Sequence, residues 1–296
     1  MTRVACLTAA IATLDRPAAL ARCLGALLSG DVLPAEVIVV DQSRDEATRA
    51  VVEQRPAGAV PIIYARQQRR GLAASRNAAM ARACYPVVAV TDDDCVPGRG
   101  WIAAIDRAFA APDAPHAVTG RVLPLGPDVP GLHVVSPREG AVRTEFRGKV
   151  VPWLVGSGGN FAVTRAWSDR VGRYDERLGA GSQGKAAEDM DYLYRLLRAG
   201  AHVRYEPEAV VYHERQSKAR RLASRASYGY GTGAFCGIWL RQGDVYALRI
   251  LGCWLYWQCG ELVRAMGRRQ WMQAYQRSLS LCGTMRGFTY GLRQVG

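Results

Sequence analysis

The sequence predicts an α/β protein, a mostly parallel sheet flanked by helices, followed by a basic helical C-terminal region. Three observations carry that expectation. Over the first 125 residues short apolar runs alternate with helical patterns, which is how successive βα units read. Asp92, Asp93 and Asp94 stand directly behind the apolar run 86–91, and functional groups in such sheets gather at the carboxyl ends of strands. The composition then shifts: residues 214–296 hold thirteen Lys and Arg against Glu214, Asp244 and Glu261, so +10 of the net charge of +13 lies there.

In chain order, apolar runs at 4–12, 36–40, 62–65, 87–90 and 117–122 read as strands. Helices fit at 17–28, with Pro17 in the first turn, and at 45–54, 72–83 and 101–110. Residues 124–150 are rich in Pro, Gly and charge without a sustained period, and read as a long loop or lid. A Gly-rich bend follows at 151–164. Residues 186–200 form an amphipathic helix with Met190, Leu193 and Leu197 on one face, acidic residues in the first turn and Gly200 as its stop. A strand pair at 203–205 and 210–213 completes a domain of residues 1–214, with 215–296 as the helical appendage; 296 residues suffice for both.

Thr13, Arg16, Asp41 and the three aspartates all fall at or beyond strand ends, and so face one crevice. One or two acidic residues after a strand would serve turn geometry. Three in succession raise one another's pKa unless a cation compensates, and hard oxygen ligands favour Mg2+ or Mn2+ shared with substrate phosphates. The eight cysteines are scattered without a C-x-x-C pair, as free thiols in a reducing cytosol would be. Neither they nor any signal peptide point away from a cytoplasmic location.

The strings "IATLDRP", "EVIVVDQS", "RRGLAASRNAAMARA", "VTDDDCVP", "GSGGNFAVTR", "RYDERLGAG", "AAEDMDYLYRLLRAG" and "YHE" follow one another in an order that resembles family 2 glycosyltransferases of GT-A (Rossmann-like) fold, over about residues 3–214. The resemblance implies that Asp41 contacts the nucleotide's base, and that Thr13 and Arg16 lie against the nucleoside and phosphates. It places the "DxD" position on Asp92–Asp94, with Asp94 as direct metal ligand and Asp92 and Asp93 nearer the nucleotide sugar. Asp189, beside Glu188, matches the catalytic base, and His213 a further metal or diphosphate contact. Arg70 and Arg76 would add charge toward the diphosphate, and Gly158, Gly159 and Asn160 would let an acceptor or donor sugar approach the backbone. Gln42 departs from the family's second Asp, and Cys95 has no assigned role.

The implied reaction is a Mn2+- or Mg2+-dependent inverting transfer from a nucleoside-diphosphate sugar, UDP first and GDP or dTDP as alternatives, to a saccharide or lipid-linked acceptor. Other readings of the same residues stay open. Glu188 and Asp189 also suit a helix N-terminus, His213 a hydrogen-bonded strand end, Arg76 an ion pair and Asn160 a turn. A nucleotidyltransferase would keep the metal and nucleotide and drop the acceptor. The D-x-D-x-[TV] string of haloacid-dehalogenase-like phosphatases recurs at 92–96, but that loop normally follows the first strand of its domain, whereas here three strands precede the one that carries it.

A pI near 9.7 suggests nucleic acid, yet no zinc finger, helix-turn-helix or RRM signature is present, and no nucleic-acid partner is expected. The basic tail interleaves Trp239, Trp254, Trp257 and Trp271 with Arg, which suits an anionic membrane surface on the cytoplasmic side. Its apolar stretches are too short to span a bilayer. Leu248, Leu251, Leu255, Leu262 and Met266 recur at helical spacing, and Gly229, Gly233 and Gly237 would let another helix come close. The alternative is that these helices pack on the catalytic domain.

Overall fold

The computed structural model describes residues 3–55, 58, 60–68 and 70–294. Its strands are β1 Arg3–Thr13, β2 Val32–Asp41, β3 Ile62–Arg66, β4 Val87–Asp92, β5 Cys95–Pro97, β6 Ala117–Pro124, β7 Leu132–His133, β8 Thr144–Phe146, β9 Asn160–Thr164, β10 Val203–His213 and β11 Gln216–Ser217. The helices are α1 Pro17–Leu28, α2 Ala47–Glu53, α3 Leu72–Arg82, α4 Trp101–Ala110, α5 Pro152–Val155, α6 Arg165–Val171, α7 Glu188–Arg198, α8 Lys218–Arg241, α9 Tyr246–Gly267 and α10 Trp271–Arg293.

The central sheet runs β3-β2-β1-β4-β9-β6-β10-β5, with β8 on β10. Six strands (β1, β2, β3, β4, β6 and β10) point one way, and β9, β5 and β8 are reversed. The mostly parallel α/β fold is therefore as the sequence predicts. Val37, Val39, Ala9 and Ala89 on one sheet face pack with Leu20, Leu24 and Ile105; Ile38, Val40, Val88 and Val90 on the other pack with α3 and α7. Near-continuous apolar strands are what burial on both faces demands.

Register places the site. Ala12 pairs with Asp92 and Thr13 with Asp41, so three strand ends share one edge. His213 pairs with Cys95 across an antiparallel ladder, which brings the last strand of the sheet beside the aspartates.

Two expectations change. Segments 203–205 and 210–213 are one strand, not a pair: β10 runs through with a register shift between Glu206 and Val210. Pro207 cannot donate to a ladder; the displaced Ala209 carbonyl is taken by Asn160 Nδ2 at 2.7 Å, and Gly120 supplies the room, since a Cβ there would overlap that carbonyl. Residues 124–150 are not a bare loop either, because β7 pairs with β11 and β8 with β10.

The C-terminal helices pack on the rest of the chain. Phe235, Ile238, Ile250 and Leu251 join Leu178, Ala187 and Tyr194 in one core. Helices α8 and α10 run parallel with interlocking glycines: Gly229, Gly233 and Gly237 abut Ser280, Thr284 and Phe288, while Gly283, Gly287 and Gly291 abut Ala226, Tyr230 and Ala234. The first ladder is the expected one; the second answers it. Among the described residues no helix is long and apolar enough to cross a membrane.

Gly287→Val should cost about 1–3 kcal/mol or more, because a Cβ there would overlap the Tyr230 carbonyl. Gly252→Ala on α9, with nothing within 4 Å of the added Cβ, should stabilise by about 0.5–1 kcal/mol. Urea unfolding of both variants checks the contrast; equal effects would mean the helices are not in backbone contact.

Candidate active site

At the carboxyl edge of β1 and β4 the aspartates are already tied to protein cations and donors. Thr13 Oγ1 donates to Asp93 Oδ2 at 2.8 Å, and Arg16 donates to Asp93 Oδ1 at 3.1 Å and Asp94 Oδ2 at 2.7 Å. Burial pushes the Asp93 carboxyl up to about 6, Arg16 opposing and Asp94 adding to the rise. Asp94 also lies 3.6 Å from His213 Nε2, whose Nδ1 is held 2.7 Å from the Glu214 carbonyl.

Asp94, Cys95 and His213 present ligand atoms within 4.8 Å of one another. A carboxylate oxygen and an imidazole nitrogen fit Mn2+. The Cys95 thiol is buried, and burial followed by the charges of Asp92 and Asp94 raises it well above its ordinary value.

A second acidic pair comes from α7. Its start is strained: Lys185 and Ala187 hold φ of 66° and 74°, and an alanine there costs about 1–2 kcal/mol. Gly231 of α8 lies against Ala186, where any side chain would collide with the backbone. The turn is thus braced from the C-terminal region. Asp189 Oδ2 accepts from Gly158 N at 2.8 Å, and Oδ1 from Met190 N at 2.8 Å, so two backbone donors fix its orientation.

Arg76 joins the two clusters. With a side chain only 3% exposed, it donates to Asp92 Oδ1 at 3.0 Å and to Glu188 Oε1 at 2.9 Å. Burial alone would lower the guanidinium, but Asp92 and Glu188 hold it above its ordinary value. Burial raises the Glu188 carboxyl, with Arg76 opposing and Asp189 adding. Glu188 is therefore committed to Arg76, while Asp189 is not.

The glycines of the 156–159 loop serve the protein's own side chains. A Cβ on Gly158 would fall 2.8 Å from Asp189 Cβ, and one on Gly159 2.8 Å from Asp92 Oδ2. The Asn160 side chain does not face the crevice with them: it is 1% exposed, accepts from Trp101 Nε1 and donates to the Arg121 and Ala209 carbonyls. Asp41, with no exposed surface, accepts from Ser43 N at 2.8 Å and from the Tyr64 hydroxyl at 2.7 Å, and so holds the 41–43 turn. Gln42 exchanges two hydrogen bonds with Gly71, one from its amide and one to it, both 3.1 Å. Arg70 is exposed just ahead of α3.

Two neighbours escaped the sequence reading. Arg138, from the 124–150 segment, donates to the Leu154 carbonyl at 3.2 Å and bears on Asp189. Tyr228, from α8, lies against Ser136 and feels the charges of Asp189, Asp94 and Glu188. Neither has a local motif; only the packing of α8 and the loop brings them here.

Known proteins share sequence and fold with this chain. The profile described as glycosyl transferase family 2 matches residues 8–167. A pre-mycofactocin glycosyltransferase of Mycobacterium tuberculosis (strain CDC 1551 / Oshkosh) is 30% identical over 209 residues, 67% of this chain and 42% of the relative, so the chain spans less than half of that protein's length. A Pyrobaculum calidifontis mannosyltransferase, PcManGT, solved with GDP-Man and Mn2+, superposes with a TM-score of 0.60 at 18% identity over 96% of this chain and 88% of its own. GalNAc-T7, solved with UDP, GalNAc and Mn2+, gives 0.55 at 17% identity over 78% and 51%.

Arg76→Met should destabilise by about 3–5 kcal/mol, since it leaves Glu188 buried without its cation. Adding Glu188→Gln should recover a large part. Chemical unfolding of the single and double variants checks this; a single-variant loss below about 1 kcal/mol would mean that the bridge does not hold the site.

Proposed function

The chain belongs to glycosyl transferase family 2 and is a glycosyltransferase of GT-A fold, and on that premise we propose a metal-dependent, inverting transfer from a nucleoside-diphosphate sugar to an acceptor hydroxyl. One observation carries the reading: Arg76 bonds Asp92 through one terminal nitrogen and Glu188 through the other, so the Asp92–Asp94 cluster and the Glu188–Asp189 pair meet at a single guanidinium. A diphosphate would lie at one cluster and an attacking hydroxyl at the other.

In this reading Asp94 and His213 hold Mn2+ or Mg2+, which when bound neutralises charge on the departing diphosphate. Arg16, freed from Asp93 and Asp94, turns to the phosphates. Thr13 and the turn held by Asp41 face the nucleoside, with UDP the first candidate, while the Gly158–Gly159 backbone lines the sugar. Asp189, fixed by two backbone N–H groups, takes the proton of the acceptor hydroxyl. The acceptor is a saccharide or a lipid-linked saccharide.

Helix α9 supports a place at a membrane surface on the cytoplasmic side. Leu251 faces the core, whereas Val245, Leu248, Tyr256, Val263 and Met266 form an outward apolar stripe at helical spacing, with Tyr256 85% and Val263 69% exposed. Arg264, Arg268 and Arg269 flank it. A basic, aromatic-bearing amphipathic face suits peripheral docking on anionic lipid.

Asp94→Ala should abolish the rise in unfolding temperature that UDP gives with Mn2+. Asp189→Asn should keep that rise while turnover falls by a factor on the order of 10² to 10⁴. The rise doubles as the control for folding, because one of the two backbone donors would face the new amide NH2. Near-normal turnover of the Asn variant would remove Asp189 from the role. For the surface, co-sedimentation with anionic but not neutral liposomes, weakened by salt and by Arg268→Glu with Arg269→Glu, is expected; indifference to lipid charge would refute it.

A further inference from the structure

Beyond the donor cluster, α8 and α10 assemble cations that the reaction described above does not use. Arg221 and Arg225 stand one turn apart on α8, and Arg277 approaches from α10. Arg221 Nε donates to Gln276 Oε1 at 3.3 Å, and Arg277 donates to Gln258 Oε1 at 3.3 Å and Glu261 Oε2 at 3.4 Å. The Arg277 guanidinium also stacks 4.8 Å from the centroid of Trp257. Glu261 is shared with Arg264. Arg225 is half-buried and makes no hydrogen bond or ion pair among the described residues.

Such a group is held against its own repulsion. Burial first, then the charges of Arg277 and Arg221, lower the Arg225 guanidinium from its ordinary value, and burial with Arg221 does the same to Arg277 against Glu261. One shared carboxylate does not balance three cations. The cluster also has a defined position: one turn after Arg225 comes Tyr228, which feels Asp189, Asp94 and Glu188. The cluster thus stands one turn from a side chain that senses the crevice, on helices that follow the last strand of the sheet.

We propose that Arg221, Arg225 and Arg277 form a subsite for a phosphate or diphosphate group carried by the acceptor. The inference rests on the glycosyltransfer reading for the word acceptor, and on the cluster itself for the anion. A phosphate monoester brings about −1.5 to −2 charge and three strong acceptor oxygens, enough to engage several planar guanidinium forks at once. A neutral saccharide would leave the excess positive charge of the cluster uncompensated. The donor's own diphosphate is provided for by the Asp94–His213 cluster and Arg16, so the second anion belongs to the other substrate.

Thermal unfolding of the full chain in metal-free buffer with inorganic diphosphate is the test. Diphosphate should raise the unfolding temperature of the parent, and Arg225→Gln or Arg277→Gln should remove that rise while each keeps the stabilisation given by UDP with Mn2+. Without anion, Arg225→Gln should unfold at the parent's temperature or above, because one of three like charges is gone. A diphosphate effect that survives both substitutions overturns the site, and so does a clear drop in the anion-free variant, which would mark a packing role. Neutral vesicles doped with a phosphomonoester lipid or, at equal charge, a phosphodiester lipid identify the source. Retention favouring the monoester and lost in Arg225→Gln places the phosphate on a lipid; equal retention with the diphosphate effect intact places it on a soluble acceptor. Absence of UDP stabilisation in the parent would count against the nucleotide-sugar reading and leave the anion site standing.

Discussion

One buried cation organises this molecule. Arg76 reaches from α3 to a carboxylate at the end of β4 and another at the start of α7, and those elements meet nowhere else through a charge pair among the described residues. Neither carboxylate cluster is stable alone at that depth: like charges repel, and burial penalises each. Arg16 offsets Asp93 and Asp94, while Arg76 alone joins Asp92 to Glu188, its planar fork setting the direction of each partner. Gly158 and Gly159 follow from this constraint, because side chains there would occupy the space that Arg76, Asp92 and Asp189 need.

The second dependency runs from the C-terminal region to the base. Ala187 opens α7 in a left-handed conformation that alanine does not favour, and it persists only where neighbours over-determine it. Gly231 supplies the neighbour. Helix α8 can sit that close only because α10 holds it from the other side through two glycine ladders in register. The basic tail is thus part of what positions Asp189, whatever surface its outer face meets.

Much of the fold was legible because parallel strands buried on both faces read as uninterrupted apolar runs, and the helices between them carry their own stops. The Asp92–Asp94 cluster and Asp189 were legible through motif order. What escaped depends on register and packing. The run through Pro207 reads as a break, since only Asn160 and Gly120, 47 and 87 residues upstream, make the bulge possible. Asn160 itself read as a loop residue near the sugar because nothing local shows Trp101 donating to it. The second glycine ladder, the stripe on α9 and the arginine cluster around Arg225 appear only once α8, α9 and α10 are placed together.

In the proposed transfer a metal-bound diphosphate and the Asp189 carboxylate lie on opposite sides of the sugar, so that attack inverts C1. Slow hydrolysis of an α-linked nucleotide sugar in the absence of acceptor, with water in the acceptor's place, tests it without knowing the acceptor. Proton NMR of the sugar released before mutarotation should show the β anomer first. Initial release of the α anomer would contradict the account, because it would require a second displacement that Asp189 in this position does not provide.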